Sequence, residues 1–197
     1  MNRIESFFLD LNFSWTLSKI SPFLMIIVFS IFIFWILKKL FPFKIRLFIG
    51  VFIFITLTTC YFYVFPVYKG DLFDLGDQPK TKIKLPINKR LIVFALPGCP
   101  YCHESVKYLQ RLIERNSNIE LEIWITGEQE DLFYNSIISD RVKIKANIDS
   151  DETFYITNGV FPTFAITKNG KLEKRWSNQS FGTRALDEIE SFFEVHK

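Results

Sequence analysis

The stretch LIVFALPGCPYCHESVKYLQRLIER, residues 91–115, decides the fold. LIVFAL (91–96) is a short, wholly apolar run, as a strand buried on both faces in a parallel sheet would be. A helix is expected from Pro100 to Arg115, with Val106, Leu109 and Ile113 on one face. Between the two lies Pro97-Gly98-Cys99-Pro100-Tyr101-Cys102. This spacing puts Cys99 at the helix N-cap and Pro100 at the first helical position, where proline sacrifices no hydrogen bond. A thiolate at Cys99 would face free backbone N–H groups and the positive end of the helix dipole. Cys102 follows within the first turn, close enough to close a small disulfide ring. One thiol is thus poised to attack and the other to resolve.

Downstream the elements alternate in kind. IELEIWIT (119–126) places Ile119, Leu121, Ile123 and Ile125 against polar neighbours or Trp124, as a strand does. EQEDLFYNSII (128–138) reads as a helix and VKIKAN (142–147) as a strand. Asp149 with Glu152 resembles a capping box, and Asn158-Gly159 suits a helix stop. TFAITK, Asn169-Gly170 and KLEKRWS form a hairpin with the residues a primed turn needs. A last helix is expected from Thr183 to Val195. The order β-α-β-α-β-α-β-β-α implies an α/β domain over 89–197: a largely parallel sheet with helices on both faces, closed by an antiparallel hairpin.

Upstream the chain changes character. Apolar residues make up 49% of the 197 residues, 23 of them Phe, and the excess lies mostly before residue 66. SPFLMIIVFSIFIFWIL (21–37) and LFIGVFIFITLTTCYFYVF (47–65) carry no charge, and each is near the length that a bilayer core of roughly 30 Å requires. Trp15, Trp35, Tyr61 and Tyr63 near the span ends suit the membrane interface. A cleaved signal peptide fits the first span poorly, because a second span follows directly. The loop 38–46, KKLFPFKIR, holds Lys38, Lys39, Lys44 and Arg46 and no acid, which assigns it to the cytoplasm. Segment 1–20 and the C-terminal domain then face outward, on the extracytoplasmic side of the cell (inner) membrane. Residues 66–88, with Pro66, Gly70, Gly76, Pro79 and Pro86, read as an irregular linker containing at most a short packed turn.

The net charge of +3 implies no nucleic-acid partner. The three cysteines, Cys60, Cys99 and Cys102, are too few for a disulfide scaffold. Cys60, inside a span, reads as a small apolar residue. Cys99-Pro-Tyr-Cys102-His103 also matches the c-type haem attachment pattern. Haem would want a second axial ligand, but Met1 and Met25 lie outside the domain and His196 stands at the far end of the chain. Zinc would need about four ligands, and no second Cys or His pair exists. No metal and no cofactor is therefore expected. A purely structural disulfide across so small a ring would stabilise little.

These residues together resemble the thioredoxin superfamily over roughly 89–197: C-x-x-C at a strand-to-helix turn, Phe161-Pro162-Thr163 opening a strand, and Lys168-Asn169-Gly170-Lys171 in a hairpin. The extra helix and strand between about Glu128 and Asn147 resemble the αβ insertion of membrane-anchored reductases of the TlpA/ResA kind. The Cys-Pro-Tyr-Cys dithiol itself is similar to that of glutaredoxins. The resemblance implies a thioredoxin-like fold and thiol–disulfide exchange through Cys99 and Cys102. It implies a cis Pro162 facing the dithiol, and a backbone at Phe161 that pairs with an extended substrate segment. Tyr101 is a further candidate for substrate contact, and His103 a candidate modulator of the thiolate. Expected partners are protein thiols and disulfides, an electron-transferring membrane protein, and lipid around the two spans. Two departures stand out: Gly98 replaces the usual Trp, and no acid lies in 91–98 to take the proton of Cys102. The rival reading is a non-catalytic assembly protein that uses the fold as a platform, for which an intact dithiol and Pro162 would be superfluous.

Overall fold

The computed structural model describes residues 3–78, 85–127 and 141–194. Two long helices, α2 (Trp15–Ile36) and α3 (Phe43–Val64), follow a short amphipathic α1 (Arg3–Asp10). α2 and α3 form an antiparallel hairpin. Phe23 near the start of α2 meets Tyr61 and Phe62 near the end of α3, with ring centroids 4.9 and 4.7 Å apart, and Phe34 meets Phe43 at the other end. Pro22 removes the N–H that would serve the Ser18 carbonyl, and the Ser21 hydroxyl donates to that carbonyl at 2.9 Å instead. Most side chains of the hairpin are exposed. Both helices are long and apolar enough to cross a membrane and are candidate spans. They begin a few residues before the expected spans, because helical hydrogen bonding continues into polar flanks, and end one residue short of them.

The C-terminal domain is built on β1 (Arg90–Ala95), β2 (Leu121–Thr126), β3 (Val142–Ile148), β4 (Thr163–Lys168) and β5 (Lys171–Ser177), in the sheet order β3-β2-β1-β4-β5. β1 to β3 are parallel, and β4 and β5 are antiparallel. Helices α5 (Pro100–Arg115) and α7 (Thr183–Phe193) cover one face, where Leu91, Val93, Leu109, Phe164 and Ile189 share a core. α6 (Ser150–Thr157) covers the other, packing Ile156 on Ile92, Phe94 and Trp124. This mixed five-stranded sheet with flanking helices is a thioredoxin-like fold. The expected helix over 128–138 lies outside the described residues.

Local chemistry accounts for the stops and turns. Asp149 caps α6 by accepting from the N–H groups of Asp151 and Glu152. Asn158 ends that helix in the left-handed conformation, and Asn169 and Gly170 are both left-handed in the hairpin turn, as a primed turn requires. β3 is an edge strand whose exposed Lys143 and Lys145 discourage pairing with another chain.

Within the described part of the expected irregular linker, 66–78 and 85–88, a short turn packs against the domain around Gly70 and Asp71. α4 (Lys69–Leu72) sits against the start of α7, where the Asp71 carboxylate accepts the Thr183 N–H at 3.1 Å. Gly70 and Gly182 meet backbone to backbone there. A Cβ on Gly182 would lie 2.3 Å from the Gly70 carbonyl carbon, so neither position has room for a side chain. Asp74 then binds Lys174 and Trp176, and Asp77 pairs with Arg175.

The N-terminal segment is joined to the same body. Leu9 and Trp15 are buried in the core beneath α5 and α7. The Asp187 carboxylate on α7 accepts from the N–H groups of Trp15 (2.6 Å) and Thr16 (3.0 Å), capping α2. Arg115 donates to the carbonyls of Leu9 and Phe13. The sheet domain thus lies at the end of the hairpin where α2 begins and α3 finishes.

Candidate active site

The loop leaving β1 is shaped by Pro97 and Gly98. The Cys99 N–H donates to the Leu96 carbonyl at 3.3 Å, and Gly98 has φ +67°. Proline second and a left-handed residue third is the pattern of a turn that selects glycine. This accounts for Gly98 standing where the resemblance would put Trp. The turn delivers Cys99 to the N-cap of α5 with Pro100 at the first helical position. The Cys99 Sγ accepts the Cys102 N–H at 3.3 Å. A sulfur so placed meets the unsatisfied N–H groups of the first turn, where negative charge is favoured. Cys99 is partly exposed and Cys102 is 0% exposed, so a partner can reach only the first sulfur. Ser105 donates its hydroxyl to the Cys102 carbonyl at 2.7 Å, which tightens the turn.

Sheet register brings the second loop alongside. Phe94 at the end of β1 is registered with Thr163 at the start of β4, so Leu96–Cys99 and Phe161–Pro162 leave the sheet at the same end. The Phe161–Pro162 bond is cis and Pro162 is buried. Phe161 and Cys99 pack against one core cluster. The two cysteines of the motif and the Phe161-Pro162 pair, 59 positions or more apart by sequence number, therefore lie at one end of the sheet. His103 lies one turn below Cys99 on α5, its N–H donating to the Cys99 carbonyl at 3.1 Å. Tyr101 points outward, 61% exposed, on the wall of a neighbouring cavity. Cys60 lies on α3, in the hairpin and outside this group.

A buried carboxylate does exist, on β2 rather than in 91–98. Glu122 accepts from Trp124 Nε1 (2.9 Å) and pairs with Arg90 (3.1 Å) and Lys145 (2.9 Å). Burial alone pushes its carboxyl up, but Lys145, Trp124 and Arg90 outweigh burial and hold it below the usual range. It stays charged near neutrality. It is registered with Ile92, three residues and so about 10 Å before the end of β1, and the dithiol turn lies beyond that end. Its role is to fill the α6 side of the sheet with a satisfied ion network. The alternation of IELEIWIT does not show this, because there Glu122 stands only as a polar neighbour of the apolar residues.

Solved structures of similar fold come from several bacteria. One is a secreted disulfide oxidoreductase of Mycobacterium tuberculosis, homologous to DsbE of E. coli: 15% identity, 54% of this chain and 83% of that one, TM-score 0.42. Another is the thioredoxin domain of a Bacteroides vulgatus thiol-disulfide oxidoreductase: 17% identity, 55% and 81%, TM-score 0.42. A third is an exposed lipoprotein thioredoxin of Streptococcus pneumoniae: 16% identity, 53% and 85%, TM-score 0.41. No protein-family model and no curated protein matches the sequence.

Proposed function

We propose that the chain is a membrane-anchored thiol–disulfide oxidoreductase acting on protein thiols and disulfides outside the cytoplasm. One observation carries the reading: Cys99, reachable and at a helix N-terminus, lies beside a fully buried Cys102, at the end of the sheet that also holds cis Pro162. That pair suits a two-step exchange. The Cys99 thiolate attacks one sulfur of a substrate disulfide, forms a mixed disulfide and releases the other substrate sulfur as a thiolate, which takes up a proton. Cys102 then loses its proton and attacks Cys99 Sγ. The Cys99–Cys102 disulfide closes and the second substrate thiolate leaves. Two electrons pass to the substrate, and the reverse sequence returns them. Phe161 would hold the substrate backbone as an added strand. α2 and α3 would serve as the anchor, with 38–46 in the cytoplasm.

Equilibration of the full chain in glutathione redox buffers tests the reading. Peptide mapping should find a Cys99–Cys102 disulfide forming in one two-electron transition, with Cys60 still alkylatable. Absence of that disulfide, or pairing of Cys60 instead, contradicts the proposal. The midpoint also gives the direction: near about −270 mV the dithiol is a reductant, near about −120 mV its disulfide is an oxidant.

A further inference from the structure

Beside the dithiol, where α1 and α2 meet the sheet domain, lies an open cavity of about 420 Å³. That is within the range of ligand pockets, roughly 300–1,000 Å³. Its walls are aromatic, with Tyr101 and Tyr108 from α5, Tyr68 before α4, and Phe181 stacked on Phe164 at a centroid distance of 3.6 Å. Three carboxylates, Glu5, Asp71 and Glu104, face it against one ammonium, Lys19. Lys19 is engaged by Glu5 at 3.4 Å, and the Asp71 oxygens take the N–H groups of Tyr68 and Thr183. Glu104 is exposed, and no cation pairs with it among the described residues. The negative field is felt in the wall: burial first, then the charges of Glu5, Asp71 and Glu104, push the Tyr108 phenol up. No group of carboxylates here converges as metal ligands among the described residues. Ring faces and carboxylates both favour an organic cation.

We propose that this cavity is a specificity pocket for a lysine or arginine side chain of the polypeptide that exchanges at Cys99. Tyr101 stands between the two cysteines and on the cavity wall, so a chain crossing Cys99 passes the mouth. At about 3.3–3.6 Å per extended residue, a side chain within about three residues of the reacting cysteine reaches inside. The proposal rests on the dithiol reading and adds a substrate class to it.

The test uses the full chain in detergent and peptides whose single cysteine carries an aryl thiol in disulfide linkage. Cys99 attacks the peptide sulfur, and the coloured aryl thiolate leaves with the bonding electrons. The peptides differ only in having Lys, norleucine or Glu within about three residues of the cysteine. Each rate is divided by that of dithiothreitol with the same peptide, which removes intrinsic reactivity. The Lys peptide should react about fivefold faster than the norleucine peptide and the Glu peptide more slowly. The net charge of +3 would by itself favour the Glu peptide, so a lysine preference reports the local field. Glu104→Lys should erase the preference, and free arginine amide should slow the Lys peptide alone. Equal normalised rates, or a lysine preference untouched in Glu104→Lys, would overturn the pocket. No reaction with any peptide, while dithiothreitol reacts with all, would overturn the dithiol reading and the pocket with it.

Discussion

At the scale of single residues, much follows from where a backbone N–H goes. Cys99 takes the Cys102 N–H because it is an N-cap, and it is an N-cap because a residue that precedes a proline is disfavoured in the helical region, so the helix starts at Pro100. Gly98 sets the approach. A Cβ there would meet nothing within 4 Å, so only the left-handed φ of +67° excludes other residues. Gly98→Ala should therefore cost about 1–2 kcal/mol of conformational strain without a clash. Thermal unfolding checks this, and an unchanged midpoint would show that the turn relaxes freely. The dithiol and its N-cap were legible in the sequence because each is a local signal, whereas the cis bond at Pro162 was expected only from the resemblance, the residues alone showing an ordinary X-Pro bond. The buried Glu122 was not legible, because only the neighbouring strands supply Arg90 and Lys145.

At the scale of elements, the strap from Phe65 to Gln78 and the start of α2 show how distant segments are fastened. Asp74 joins the strap to Lys174 and Trp176. Burial raises its carboxyl pKa, but Lys174, Trp176 and the Gly76 N–H outweigh that and hold it well below the usual carboxylate range. A depressed carboxyl stabilises the fold fully above its unfolded value, about 3.9, and loses that contribution as pH falls further. Lys174 is held up: burial lowers it, yet Asp74 and Glu188 more than compensate. Its contribution is lost only as pH rises above about 10.4. Asp74→Asn should thus destabilise by about 1–3 kcal/mol at pH 7. The gap from the unaltered chain should narrow progressively below about pH 4, as denaturation curves across pH would show. Asp187→Ala should uncap α2 at a cost of about 1 kcal/mol. Amide exchange at Trp15 and Thr16 should speed up about fivefold, whereas unchanged rates would mean that Ser14 alone caps the helix. Strand and helix periods were readable because they repeat within a dozen residues. The docking of Leu9 and Trp15 was not, because the surface that buries them lies about a hundred positions or more away, around Arg115 and Asp187.

At the scale of the whole molecule, the sheet domain and the hairpin form one continuous structure, with α1 and the strap filling the join. α1 and α2 supply one wall of the cavity beside the dithiol. The basic loop 38–46 predicts that this domain lies outside the cytoplasm. A reporter fused after Lys197 should be active only there, and activity of a cytoplasm-only reporter would reverse the topology. The central claim is that Cys99 attacks and Cys102 resolves, and trapping in membranes tests it most directly. Cys102→Ser should accumulate mixed disulfides between Cys99 and partner proteins, stable until a reductant is added, while Cys99→Ser should accumulate few or none. Adducts through Cys102 in the Cys99→Ser protein, or none from either variant, would contradict the account.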